Sequence, residues 1–208
     1  MYPIKQGEGM KHKISLVLLL GLGLLVFAPG EASASIGVKG GFHFATQRQG
    51  GATQKGAQMG FFAGVFFPMT MNPFFTVQPE VMIIQKGSKK EIGDWYVYDV
   101  TTKLVCIDAA VISKIHPFEI KGIKPCFLFG PYASFIIGGK YDYGNSTETI
   151  ADYNKLEAGF VFGAGADFVL GTSKVAVDLR YNLGWTDVHK VPSSIWNRGV
   201  LVSAGFVF

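Results

Sequence analysis

Residues 156–170 read Leu156-Glu157-Ala158-Gly159-Phe160-Val161-Phe162-Gly163-Ala164-Gly165-Ala166-Asp167-Phe168-Val169-Leu170. Every even position is apolar, and both carboxylates and all the glycines fall on odd positions. Successive side chains of a strand point to opposite sides, so this stretch reads as a strand with one uncharged face. The other face is small and acidic. A helix would scatter the two sets around its axis, and three glycines would weaken it.

The same two-residue period recurs along the chain. Ile36, Val38, Gly40, Phe42 and Phe44 share a face, and so do Met59, Phe61, Ala63, Val65 and Phe67. Phe75 to Ile83, Val105 to Val111 and Phe127 to Ile137 follow at odd positions. Val175 to Trp185 (odd) and Val200 to Phe208 (even) complete the set. These faces carry no charge, in a chain that is 16% charged. The opposite faces hold Lys39, Glu80, Asp108, Glu157, Asp167, Asp178 and Arg180. Carboxylates mixed with cations on Gly-rich faces suit a narrow interior closed by ion pairs, with the apolar faces turned to lipid. The expected fold is all-β: an eight-stranded, antiparallel, up-and-down transmembrane β-barrel. Tilted strands of about 9–11 residues cross an outer membrane, and an even number closes the sheet without edges. Eight strands leave an interior that side chains can fill.

The first residues read as an address. Lys11, His12 and Lys13 precede the apolar run Ile14 to Phe27, and Ala32-Ser33-Ala34 follows. This is the order of a cleavable signal peptide. The run is about 21 Å long as a helix, short of the roughly 30 Å of a hydrocarbon core. The expected organisation is a signal peptide over 1–34, cut after Ala34, and an outer-membrane barrel domain over 35–208. The location is then the cell outer membrane.

Spacing between strands alternates. Pro68–Pro73, His116–Lys121 and Gly171–Lys174 are short; 47–55, 87–102, 139–154 and 187–198 are long. Short turns face the periplasm and long loops face outside, which puts both termini in the periplasm. Tyr132, Tyr181 and Trp185 are expected at the outer interface, and Phe74, Phe118 and Phe208 at the inner one. Pro79 and Pro131 fall within strands and are expected at bulges.

In order, Gly37-Val38-Lys39-Gly40-Gly41, Gly60-Phe61-Phe62-Ala63-Gly64, Val77-Gln78-Pro79-Glu80, Gln85-Lys86-Gly87, Ile107-Asp108, Lys124-Pro125, Phe129-Gly130-Pro131-Tyr132, Gly163-Ala164-Gly165 and Arg180-Tyr181-Asn182-Leu183-Gly184 resemble the PorT-like family of small outer-membrane β-barrel proteins. The fourth strand departs from it: Asp108-Ala109-Ala110 stands where the family usually has Glu-Ile-Pro. The resemblance implies an eight-stranded transmembrane barrel, in most members without an assigned activity. The namesake is linked to a protein secretion system, a role that fold alone does not transfer. Phe206 and the final Phe208 resemble the C-terminal signal read by the outer-membrane assembly machinery, which makes that machinery an expected partner.

Chemistry beyond the barrel is sparse. Lys39, Glu80, Asp108, Asp167, Asp178 and Arg180 read as a structural ion-pair network rather than an ion path, because buried charges need partners. His43 has no second His at ligand spacing, so no metal is expected. His189, Ser193 and Ser194 lack the third group and oxyanion site that acyl chemistry needs, so no catalytic site or cofactor is expected. Gly163-Ala164-Gly165 lies inside a strand, where a phosphate loop would open a helix. Cys106 and Cys126 are staggered about a turn centred near residue 119 and read as free thiols. Trp95, Tyr96, Tyr98, Tyr141 and Tyr143 are candidate loop contacts for a surface partner. Lys86, Lys89 and Lys90 are placed at the level of lipopolysaccharide phosphates, beside the outer-membrane lipid. A net charge of +4, dispersed along the chain, is too small to argue for nucleic acid, and none is expected as a partner. Three alternatives stay open: a narrow pore, a lipid-modifying barrel enzyme, and a soluble lipocalin-like barrel with the faces inverted.

Overall fold

The computed structural model describes residues 33–49, 52–53, 57–92, 98–143, 146–149, 156–186 and 195–208. Eight long strands build it: β1 (Gly37–Gln49), β2 (Gln58–Phe66), β3 (Phe75–Ile92), β4 (Tyr98–Ile115), β5 (Ile123–Asp142), β6 (Leu156–Leu170), β7 (Ser173–Gly184) and β8 (Ile195–Val207). Each pairs antiparallel with its neighbours in the chain, and β8 pairs with β1. Phe206 lies opposite Val38 and Ile195 opposite Gln49. The sheet is a closed barrel. Most residues of the expected leader, 1–32, lie outside the described residues; Ser33 and Ala34 pair with Thr70 and Met69.

Outward faces match the uncharged stripes. Phe61, Ile83, Phe127 and Leu179 are each more than half exposed, and Phe42, Phe135, Phe162 and Tyr181 nearly so. Burying one such side chain is worth about 1.5–3 kcal/mol, and soluble monomers rarely expose contiguous patches beyond a few hundred Å². A continuous apolar belt around a closed barrel therefore calls for a lipid solvent. The inverted, lipocalin-like arrangement has the opposite distribution.

Several details differ from the sequence reading. β3, β4 and β5 run well past the expected strand ends, so much of 87–102 and 139–154 is paired strand rather than loop. Polar residues such as Gln85, Lys89, Thr101 and Lys103 end the outward apolar stripe there, and only the ladder shows that pairing continues. The link Pro68–Pro73 contains a short strand, Met69–Asn72, folded back on Phe75–Val77. The turn after β4 centres on Lys121 and Gly122, beyond residue 119. Neither proline marks a bulge. Pro79 lies opposite Val111 between two regular pairs, and the β4–β5 register is the same on both sides of Pro131. The bulge of this hairpin is elsewhere, where Val105 pairs with Gly138 and Cys106 with Ile136. Tyr132 points inward and is 2% exposed, because it shares the parity of Leu128 and Ser134.

Candidate functional site

The inward faces bring charges from distant parts of the chain into the lumen. Two clusters result. In the first, Glu80 on β3 bonds Lys39 on β1 and Arg180 on β7, and Gln78 donates to the same carboxylate at 3.1 Å. Arg180 also reaches Asp178 at 2.6 Å. Lys114 on β4 extends this cluster to Asp167 on β6 at 2.9 Å and to Asp178 at 3.5 Å. In the second cluster, Lys86 on β3 lies 3.0 Å from Asp108 on β4 and 3.5 Å from Glu157 on β6. Glu157 also accepts from the Tyr132 hydroxyl and the Asn197 amide, each at 2.5 Å. The Lys86 ammonium stands 4.8 Å from the centroid of the Tyr132 ring.

The local reason is strand parity. Lys39, Glu80, Lys86, Asp108, Lys114, Glu157, Asp178 and Arg180 all sit on the side opposite the lipid stripe, and all are buried. Glycine thins the wall between them. A Cβ on Gly165 would stand 2.5 Å from the Asp178 carboxylate. Two apolar clusters share the interior with the ion pairs. One comprises Phe62, Met82, Ile84, Leu104, Cys106, Ile136 and Leu201. The other comprises Ala110, Ile112, Leu128, Tyr132 and Val161. The interior is therefore less uniformly polar than the sequence suggested.

The six expected network residues thus fall into two groups. Lys39, Glu80, Asp178 and Arg180 meet directly, and Asp167 joins through Lys114, whereas Asp108 belongs to the second cluster. Lys114 continues the inward parity of Asp108 and Ile112 two residues on, which the strand expected to stop at Ile112 concealed. Lys86 is buried at 2% exposure and does not face lipid headgroups, a correction to its expected place. Cys126, Asp167 and Asp178 have ligand atoms within 4.8 Å of one another, but the Lys114 ammonium already sits against both carboxylates. Cys106 and Cys126 are free and buried. Cys106 lies opposite Ile136, so Cys126 stands roughly 33 Å further along β5 at about 3.3 Å per residue.

His43 is buried, with Nδ1 3.0 Å from the Gln85 carbonyl. Trp95, Tyr96, His189, Ser193 and Ser194 lie outside the described residues, as does the side chain of Tyr98. Tyr141 packs against the first apolar cluster, so it is part of the wall rather than a free loop contact. Tyr143 is exposed, 6.4 Å from the Tyr141 ring and 3.4 Å from Glu148. On the outside, Trp185 packs on Phe160 at 5.7 Å, and Phe206 on Phe208 at 5.1 Å.

The family described as Outer membrane protein beta-barrel domain matches residues 28–190. The chain belongs to this family. Its membrane is the outer membrane, and the apolar belt is the surface that meets the lipid. Among solved structures, Neisserial surface protein A shares 18% identity at a TM-score of 0.52. That match covers 84% of this chain and 97% of the other. A major outer membrane protein from Thermus thermophilus shares 12% identity at a TM-score of 0.51, covering 85% of this chain and 98% of that one. Both are likenesses of fold. No curated protein matches the chain.

Proposed function

We propose that this outer-membrane barrel is closed by its own side chains and acts as a structural element or through its outer ends, without catalysis. The observation that carries the reading is the pair of lumen clusters. Their charged groups come from β1, β3, β4, β6 and β7, and none of the eight buried ones exposes more than 6% of its surface. A water-filled channel along these groups would expose them. The reading includes a signal peptide cut after Ala34, both termini in the periplasm, and PorT-like kinship with its link to secretion. Phe206 and Phe208, paired at the end of β8, suit recognition by the assembly machinery. No cofactor enters this reading.

Two measurements test it. The outer-membrane fraction, run unboiled and boiled in SDS gels, is expected to give a band whose mobility shifts on boiling. Purified barrel in a planar bilayer is expected to show no discrete conductance steps. Reproducible steps would replace the plug with a narrow pore. A protein found only in the soluble periplasm, without a gel shift, would overturn the membrane assignment itself.

A further inference from the structure

We propose that Lys89, Lys103 and Lys140 form a ladder that binds the phosphates of the lipopolysaccharide head group. The proposal rests on the reading above that the long hairpins face outside. Lys103 on β4 and Lys140 on β5 lie directly opposite each other, and Lys103 is paired with Gly87 on its other side. Lys89, opposite Thr101, is then the diagonal neighbour of Lys103. Directly opposite residues have Cβ atoms about 5 Å apart, and diagonal ones about 7–8 Å. All three side chains are exposed.

The β5 bulge creates this arrangement. Ile136 points inward, so regular alternation would turn Lys140 inward as well. The register shift at Gly138 reverses the parity: Tyr141 packs on the interior cluster and Lys140 faces out. A bulge that re-aims a side chain to stand opposite a like charge works against sheet stability. An anion held between the two ammonium groups removes that conflict. Asp142 neutralises one of them, at 2.8 Å from Lys103. Among the residues whose side chains are described, no ion pair joins Lys89 or Lys140 to a carboxylate.

Below the ladder on the same outward faces stand Ile83, Ile107, Phe135 and Ile137, each at least 38% exposed. Phosphate sites directly above an apolar wall match an amphiphile with acyl chains beneath anionic sugars. That is the chemistry of lipid A in the outer leaflet.

The test uses the refolded barrel in neutral phosphatidylcholine nanodiscs. Native mass spectrometry measures retention of bis-phosphorylated lipid A, its dephosphorylated form and phosphatidylglycerol. The expected result is at least tenfold weaker binding of the dephosphorylated form and of phosphatidylglycerol. The K89Q/K103Q/K140Q variant is expected to lose lipid A by a similar factor while keeping its gel shift. If the variant does not fold, the comparison of lipids on the native chain decides alone. Equal retention of all three lipids overturns the ladder. A Lys89→Cys variant, treated in intact cells with a membrane-impermeant maleimide, separates the two premises. No labelling places the ladder at the inner leaflet and overturns the assignment. Labelling without phosphate dependence leaves the orientation standing and removes the ladder.

Discussion

Glu80 takes bonds from Lys39, Arg180 and Gln78 inside a closed wall and is almost fully buried. Removing one member of a buried charge group costs about 3–5 kcal/mol, because the others stay desolvated and unpaired. Glu80→Gln is therefore expected to lower the denaturant midpoint in micelles by an amount equivalent to that. Lys103→Ala, which breaks an exposed pair, should cost under about 1 kcal/mol. Equal losses would show that the lumen clusters do not carry stability. Gly199 offers a second case. A Cβ there would stand 2.1 Å from His43 Nε2, and the ring is held by the Gln85 carbonyl. Gly199→Ala is expected to destabilise, and His43→Ala in the same chain should recover part of the loss. Strict additivity of the two would argue that they do not touch. Parity alone revealed Lys39, Glu80, Asp178 and Arg180. It did not reveal that Lys86 is an interior residue, because Gly87 and Ser88 after it look like the start of a loop.

Among the elements, the β4–β5 hairpin shows how turn chemistry sets register. Ile120 and Ile123 exchange two backbone bonds of 2.9 Å, and Lys121 and Gly122 between them take φ of 49° and 79°. Both central residues at positive φ define a type I′ turn, which favours Asn-Gly. Gly122 meets the demand and Lys121 does not. Lys121→Asn is expected to raise stability by a few tenths of a kcal/mol, and Gly122→Ala to lower it by about 1–2 kcal/mol. Matched urea titrations in detergent would read both; a neutral Gly122→Ala would mean the turn re-forms otherwise. The Lys-Gly pair is visible in the sequence, but it lacks the Asn-Gly signature, and the spacing alone puts the turn about two residues early. Gly171, with φ of 65° before Thr172, sits where a short turn was expected. The β5 bulge had no signature at all, since glycine in a strand is also explained by close approach of a neighbour.

For the whole molecule, acid is the expected weak point. His116 lies beyond the end of β4, in the short connection to β5. Burial holds its imidazole below the ordinary value of 6.5; Lys114 acts in the same direction and Asp167 opposes. The unfolded chain then takes up a proton near pH 6.5 that the folded barrel refuses. Stability is unaffected above that pH and falls as the pH drops below it toward the depressed folded value. His116→Gln should flatten the fall between the two, measured as denaturant midpoints from pH 7.5 downward; an unchanged slope would clear His116 of the effect. The sequence by itself determined the strand number, the antiparallel order and the lipid face, because a two-residue period with uncharged stripes is a local property. It also supplied the interior charges, one strand at a time. Only the tertiary structure decided which charges meet, that they divide into two clusters, that β3 continues far enough to hold Lys86 inside, and that a bulge turns Lys140 outward. Those outcomes depend on the stagger between strands as the barrel closes, and stagger is set by contacts far apart in the chain.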